Sequence, residues 1–111
     1  MVLVTAAVGY QVQADREAKL PPLPVNVKFR ASLLGPRAGY VLVIENTSGS
    51  PLPLMANLTH TSVNDGRRYD LYIPARSQTD ISRLVNGWTT EHGDRVTLEN
   101  ANYKPWSGSV P

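Results

Sequence analysis

Apolar and polar side chains alternate along most of the chain from Val25 onward. Residues 25–30 switch between the two at every position, which predicts a strand with one buried face and one wet face. Residues 52–58 and 69–73 repeat this alternation, whereas residues 40–45 are almost all apolar, as is typical of a central strand. A helical period is not sustained anywhere between residues 25 and 111. The pattern therefore predicts an all-β domain.

Turn-forming residues separate the alternating stretches at short intervals. Residues 33–39 and 46–50 combine Gly with Pro, Asn or Ser, which favours turns. Asn64-Asp65-Gly66 predicts a hairpin, because Asp-Gly supplies the positive φ angles of a type I′ turn.

The last third of the chain completes the set of strands. Residues 81–84 fit a short strand or turn, residues 94–99 form a strand with Val96 and Leu98 facing inward, and residues 103–106 begin an aromatic-anchored last strand. Seven short strands at this spacing predict a seven-stranded immunoglobulin-like antiparallel β-sandwich over residues 25–111.

The first 24 residues have a different character. Residues 1–8 are apolar, residues 11–20 are polar helix formers, and three of the residues 21–24 are proline, which favours an extended spacer. We place the domain boundary here, with an apolar segment, stalk and Pro-rich linker over 1–24 and the sandwich over 25–111. Eight apolar residues are too few to cross a bilayer, which takes about twenty, and no Lys or Arg precedes them as in a signal peptide.

Three interpretations of this segment stay open. It is a frayed terminus or short helix lying on the sandwich, the cut end of a transmembrane or signal-anchor helix, or an amphipathic partner helix. In the second, Tyr10 is an interfacial aromatic residue and residues 11–20 form a juxtamembrane stalk.

Composition removes several classes of function. The chain has no cysteine, which excludes a disulfide framework, a thiolate metal site and a cysteine nucleophile. The net charge of +2 arises from interspersed signs without a clustered basic stripe, so we expect no nucleic-acid partner. No Gly-x-Ser-x-Gly elbow and no glycine-rich phosphate loop is present. We therefore expect no enzymatic activity, no catalytic residues and no cofactor.

The two histidines do not predict a metal site. Zinc or copper needs three or four converging ligands, and neither His60 nor His92 has a partner at ligand spacing. His92 beside Glu91 and Asp94 comes nearest to a cluster, and we interpret it as part of a solvated loop tip.

The aromatic side chains are the only candidate ligand contacts. Trp88, Tyr103 and Trp106, with Tyr72, would serve a carbohydrate-binding sandwich if at least two of the rings were exposed and coplanar. The interpretation we favour places Trp88 at the bottom of the core under the Gly87 turn. In it Tyr103 and Trp106 pack on the last strand.

The chain also contains a set of short motifs, each of which occurs once: Val27-Lys28-Phe29-Arg30, Leu33-Leu34-Gly35, Val43-x-Glu45-Asn46, Gly87-Trp88, Gly93-Asp94 and Tyr103-Lys104-Pro105-Trp106. With these motifs residues 20–111 resemble small immunoglobulin-like or fibronectin type III-like domains of uncharacterised bacterial proteins. The Tyr103-Lys104-Pro105 end is also similar to transthyretin-like regulatory domains. Both resemblances imply support, spacing or binding roles and carry no catalytic residues.

We therefore expect a non-enzymatic accessory module that binds another protein through its sheet edges or end loops. The resemblance and the apolar residues 1–8 imply that it is presented outside the cytoplasm, in the periplasm or at the cell surface, on a membrane-anchored stalk. The alternative is a carbohydrate-binding module that uses Trp88, Tyr103 or Trp106.

Overall fold

A computed structural model describes residues 20–33 and 39–111 of the chain. The predicted anchor and stalk, up to residue 19, lie outside the described residues. The strands are β1 (Val25–Ala31), β2 (Tyr40–Asn46), β3 (Leu52–His60), β4 (Asp65–Ile73), β5 (Gln78–Ile81), β6 (Arg95–Glu99) and β7 (Trp106–Ser109), with one helical turn, α1 (Arg83–Asn86), after β5. Within the described ranges no helix has the length and apolar character needed to cross a membrane.

The strands form two antiparallel sheets. One has the order β1-β2-β5 and the other the order β4-β3-β6-β7. The predicted all-β class is confirmed with its two antiparallel sheets, and the described residues form seven strands. The central place of the apolar stretch 40–45 is confirmed as well, since β2 has a hydrogen-bonded neighbour on either side.

The core lies between the sheets and takes alternate side chains from each strand. Its buried members are Leu23, Leu42, Ile44, Leu52, Leu54, Ala56, Leu58, Ile73, Ile81, Trp88, Val96, Leu98 and Val110. The predicted inward faces of residues 52–58, 69–73 and 94–99 are therefore confirmed. Burial of this apolar set is the main favourable term in the stability of the sandwich.

Strand β2 is also covered on its outer face. Val41 and Val43 are buried although they point away from the facing sheet. Arg30 on β1 and Asp80 on β5 form an ion pair at 3.3 Å across β2, so the long arginine side chain extends over these valines. The inner face of β2 thus contributes to the core, while its outer face is covered by the side chains of the Arg30–Asp80 ion pair.

The hairpin between β3 and β4 differs from the prediction. Asp65 and Gly66 belong to β4, and the turn comprises residues 61–64, with Asn64 in the left-handed region at φ 52°. In the observed register Leu54 pairs with Leu71. A two-residue turn at Asp65-Gly66 would shift this register and place Leu71 opposite His60. Apolar pairing across the strands therefore outweighs the local preference of Asp-Gly.

The predicted spacer, residues 21–24, lies on the sandwich. Leu23 is buried in the core, the Lys104 backbone N–H donates to the carbonyl of Pro21 at 2.9 Å, and the Thr47 N–H donates to that of Pro24 at 3.0 Å. The described part of the Pro-rich segment is thus fixed against both sheets.

Candidate functional site

One end of the sandwich is closed by the segment that joins α1 to β6. Gly87 ends α1 in the left-handed conformation, and Gly93 adopts φ 84° just before β6. The Gly93 N–H donates to the Val110 carbonyl at 2.9 Å, and the Val110 N–H donates to the Asp94 carbonyl at 2.8 Å. The chain end therefore holds this segment in place beneath the last residue of β3, His60.

Four side chains meet at this end, His60, Trp88, Glu91 and Asp94, which we call the end cluster. The His60 Nδ1 lies 2.7 Å from the Asp94 Oδ2, and the Glu91 backbone N–H donates to the same oxygen at 2.8 Å. The Asp94 side chain is only 5% exposed and that of His60 16%. Because a carboxylate oxygen accepts both bonds, the neutral His60 ring carries its proton on Nδ1.

The His60 ring also stacks on the buried indole of Trp88. The ring centroids are 4.0 Å apart and the planes differ by 8°. The imidazole is thus fixed on its face by an aromatic ring and on its edge by a carboxylate. A ring held in this way has little rotational freedom left to lose when it binds a ligand.

The end cluster brings metal-ligand atoms together. One ligand atom from each of His60, Glu91 and Asp94 lies within 4.8 Å of the others. Imidazole nitrogen with two carboxylates is a donor set that transition-metal dications accept. The sequence pattern placed Glu91 and Asp94 near His92, whereas the structure places them beside His60 and leaves His92 exposed.

The alternation along the strands holds the signal for this pairing. His60 continues the inward set of β3, and Asp94 precedes the inward Val96 of β6. Leu58 pairs with Val96 and Thr59 with Arg95, so His60 faces Asp94 one step beyond the ladder. Local spacing misses this contact because the two residues are 34 positions apart.

The three aromatic residues predicted as ligand contacts do not come together. Trp88 is 4% exposed and belongs to the core, as the structural interpretation expected. Tyr103 and Trp106 are half-buried and pack against the core from the region of β7. Among the described residues, the ring contact of Trp88 is with His60 and not with either of them.

Tyr103 also lines a groove of about 470 Å³. The groove crosses the outer face of β3 and β6 and runs below the loop that joins β6 to β7. Its lining is Leu20, Met55, Glu99, Asn100, Ala101, Tyr103 and Pro105. One aromatic ring, one carboxylate and apolar walls make it a second candidate for ligand contact.

Replacing Asp94 with alanine tests how much the end cluster stabilises the fold. Two N–H groups lose their acceptor, so we expect the free energy of unfolding to fall by about 1–3 kcal/mol. Urea unfolding followed by tryptophan fluorescence measures this change. Asp94→Asn should cost less, because an amide oxygen can accept both bonds. Equal losses in the two variants would contradict the role of Asp94 as an acceptor.

Comparison of the chain with family models, curated proteins and solved structures found no match. Its function is therefore inferred from its own residues and their arrangement.

Proposed function

We propose that this chain is a protein-interaction module of the immunoglobulin-like class, without enzymatic activity. When strands β1 to β7 are lettered A to G, one sheet has the order A-B-E and the other has the order D-C-F-G. Immunoglobulin constant domains use A-B-E-D and C-F-G. The present arrangement differs in the fourth strand alone, which pairs with the third strand as in fibronectin type III-like sandwiches.

The observation that carries this proposal is the outer edge of β4, which has no hydrogen-bonded neighbour among residues 20–33 and 39–111. This strand has nine residues and pairs with β3 on one side, while its other side ends the four-stranded sheet. The other strands at sheet edges are shorter, with seven residues in β1 and four each in β5 and β7. An edge strand offers alternate N–H and C=O groups that an extended segment of another protein can pair with.

The inner face of β4 adds apolar surface to this edge. Tyr69 and Leu71 are half-buried, whereas Ala56 and Leu54, their respective partners on β3, are buried. A partner strand beside β4 would cover Tyr69 and Leu71 with its own inward side chains. The edge therefore combines backbone hydrogen bonding with apolar burial, the two parts of strand addition.

The outer face of β4 sets the chemistry of the partner. Arg68, Asp70 and the well-exposed Tyr72 point to solvent in alternation. Arg68 and Asp70 are 3.8 Å apart with most of their side chains exposed, so this ion pair contributes little and is free to exchange partners. We expect an extended partner segment that alternates apolar residues with charged ones.

The location that we propose, outside the cytoplasm on a membrane-anchored stalk, rests on the sequence of residues 1–24 and on the resemblance given above. Residues 21–24 of that segment are fixed to the sandwich by backbone hydrogen bonds. They would hold the domain at a defined angle to a preceding stalk.

A displayed peptide library selected against the purified chain tests the binding mode. We expect the selected peptides to shift the amide resonances of β4 and to slow the hydrogen exchange of amides on its outer edge. Leu71→Lys should weaken binding at least about tenfold, since a charge then faces the partner's apolar side chains. Thr97→Lys, on the outer face of the interior strand β6, should bind as the unmodified chain does.

Resonance shifts also distinguish strand addition at β4 from the second candidate function, carbohydrate binding. The condition of two exposed and coplanar rings is not met, because Trp88 is buried and Tyr103 and Trp106 are half-buried, so this function rests on the groove that Tyr103 lines together with Glu99. Resonance shifts confined to the groove on addition of soluble glycans, with no peptide bound at β4, would support that function and contradict strand addition.

A further inference from the structure

We propose that His60, Glu91 and Asp94 bind a divalent transition-metal cation of the zinc class. Their ligand atoms already lie within 4.8 Å of one another. A tetrahedral zinc ion with bonds of about 2.0–2.2 Å holds its ligand atoms roughly 3.3 Å apart. The His60–Asp94 pair at 2.7 Å needs to open slightly, and the exposed Glu91 side chain needs to swing inward.

The charge at the end cluster favours a cation. Asp94 is buried, and among the described residues no Lys or Arg forms an ion pair with it. Glu91 brings a second carboxylate close to the first. Glu91 is exposed, so only Asp94 is buried; when the His60 ring that bonds to it is neutral, the two carboxylates lack a counter-charge, which is unfavourable for the buried Asp94. A dication between them supplies that counter-charge.

Two buried polar atoms on the same segment point to a further ligand. Within the described part of the chain, the Nε1 of Trp88 and the Oγ1 of Thr90 have no hydrogen-bond partner. Both residues are buried with the half-exposed Thr89 between them, so both side chains lie on the core side, where Trp88 meets His60. Buried polar groups are nearly always satisfied; a water on an ion with three protein ligands can donate to the Thr90 hydroxyl, whereas the Trp88 N–H needs a separate acceptor such as a free water.

The ion would take the place of the proton shared by His60 and Asp94. That proton leaves Nδ1, either to solvent or to Nε2 as the ring changes tautomer, and the freed lone pair binds the metal. The Glu91 N–H stays on Asp94 as an outer hydrogen bond that orients the carboxylate. The ion would then link the end of β3 to the segment before β6, so bound metal should stabilise the folded chain.

Titration of zinc chloride into the untagged full chain, followed by calorimetry, tests the proposal. We expect one ion per chain with micromolar or tighter affinity and an unfolding midpoint raised by several degrees. Cobalt(II) in place of zinc should give visible absorption bands of a low-coordinate nitrogen and oxygen site. Absence of stoichiometric binding by the unmodified chain would overturn the proposal.

Three variants identify the ligands. Glu91→Gln should weaken zinc binding at least about tenfold, and it leaves the fold intact because the exposed Glu91 side chain makes no hydrogen bond with the described residues. His60→Ala should abolish the cobalt bands; if it does not fold, Glu91→Gln alone decides. His92→Ala is the matched control and should bind as the unmodified chain does. Unchanged affinity in Glu91→Gln, or a loss in His92→Ala, would contradict the assignment.

Discussion

Replacing Leu98 with aspartate should leave the chain without a cooperative unfolding transition. Leu98 is fully buried at the centre of β6 and pairs with Ala56 on β3. A carboxylate at this position has no polar partner, and its burial costs several kcal/mol. A domain of this size has a total stability of about 5–15 kcal/mol, so the substitution removes most or all of it.

Circular dichroism during heating measures the effect, and two variants serve as controls. Leu98→Ala should remain folded with a loss of about 2–5 kcal/mol, since it creates a cavity and buries no charge. Val43→Asp should be less damaging than Leu98→Asp, because Val43 lies on the outer face of β2 beside charged side chains, with Lys28 opposite it on β1 and Asp80, which pairs with Arg30, opposite it on β5. A folded Leu98→Asp chain with the original midpoint would show that β6 does not face the core.

Leu98 and Val43 illustrate how much of the fold can be predicted from the sequence. In residues 95–99 strict alternation predicts the inward face correctly, because only one face is apolar. In residues 52–58 the period-two set of Leu52, Leu54, Ala56 and Leu58 does so although Pro53 and Met55 lie on the other face. In residues 40–45 both faces are apolar, so the pattern predicts a central strand without indicating which face meets the other sheet. That distinction depends on the facing sheet, since Leu42 and Ile44 contact the core while Val41 and Val43 do not.

Features that depend on pairing between distant segments were missed. The turn after β3 was placed at Asp65-Gly66 from local preference, but the register follows from Leu54 and Leu71 meeting across the strands. The contact of His60 with Asp94 requires that β3 pair with β6, which the sequence leaves open. From local spacing we expect Asp94 in a solvated loop tip, whereas it is buried; the alternation of β3 and β6 carries its inward position and that of His60.

Asn46 is the clearest residue whose role the sequence did not reveal. It was grouped with a turn, yet it ends β2 and is fully buried. Its Nδ2 donates to the carbonyls of Ser50, Ile73 and Pro74 at 2.8, 3.0 and 3.2 Å. Its Oδ1 accepts from the backbone N–H and the hydroxyl of Ser48 at 3.0 and 2.7 Å. One amide therefore joins the two sheets, through the end of β4 and the loop after β2.

Asn46→Asp should destabilise the chain by about 3–5 kcal/mol, because it removes the donor and buries an unpaired charge. A carboxylate keeps the acceptor for Ser48 but turns an oxygen toward the carbonyls of Ile73 and Pro74. The loss relative to the unmodified chain should shrink as the pH falls through the acid range, since a protonated carboxyl regains one O–H donor. Urea unfolding at neutral and acid pH measures both effects.

Ser48→Ala separates the two sides of the Asn46 amide. It removes the hydroxyl that donates to Oδ1 and also contacts the Ser50 carbonyl and N–H, and it leaves the backbone N–H of residue 48 on Oδ1, so we expect a loss of about 1 kcal/mol that does not depend on pH. The contrast follows from the Asn46 Nδ2 group, which donates to the buried Ile73 carbonyl and to the part-buried carbonyls of Ser50 and Pro74. An Asn46→Asp chain as stable as Ser48→Ala would mean that these carbonyls find other donors and that the amide does not hold the sheets together.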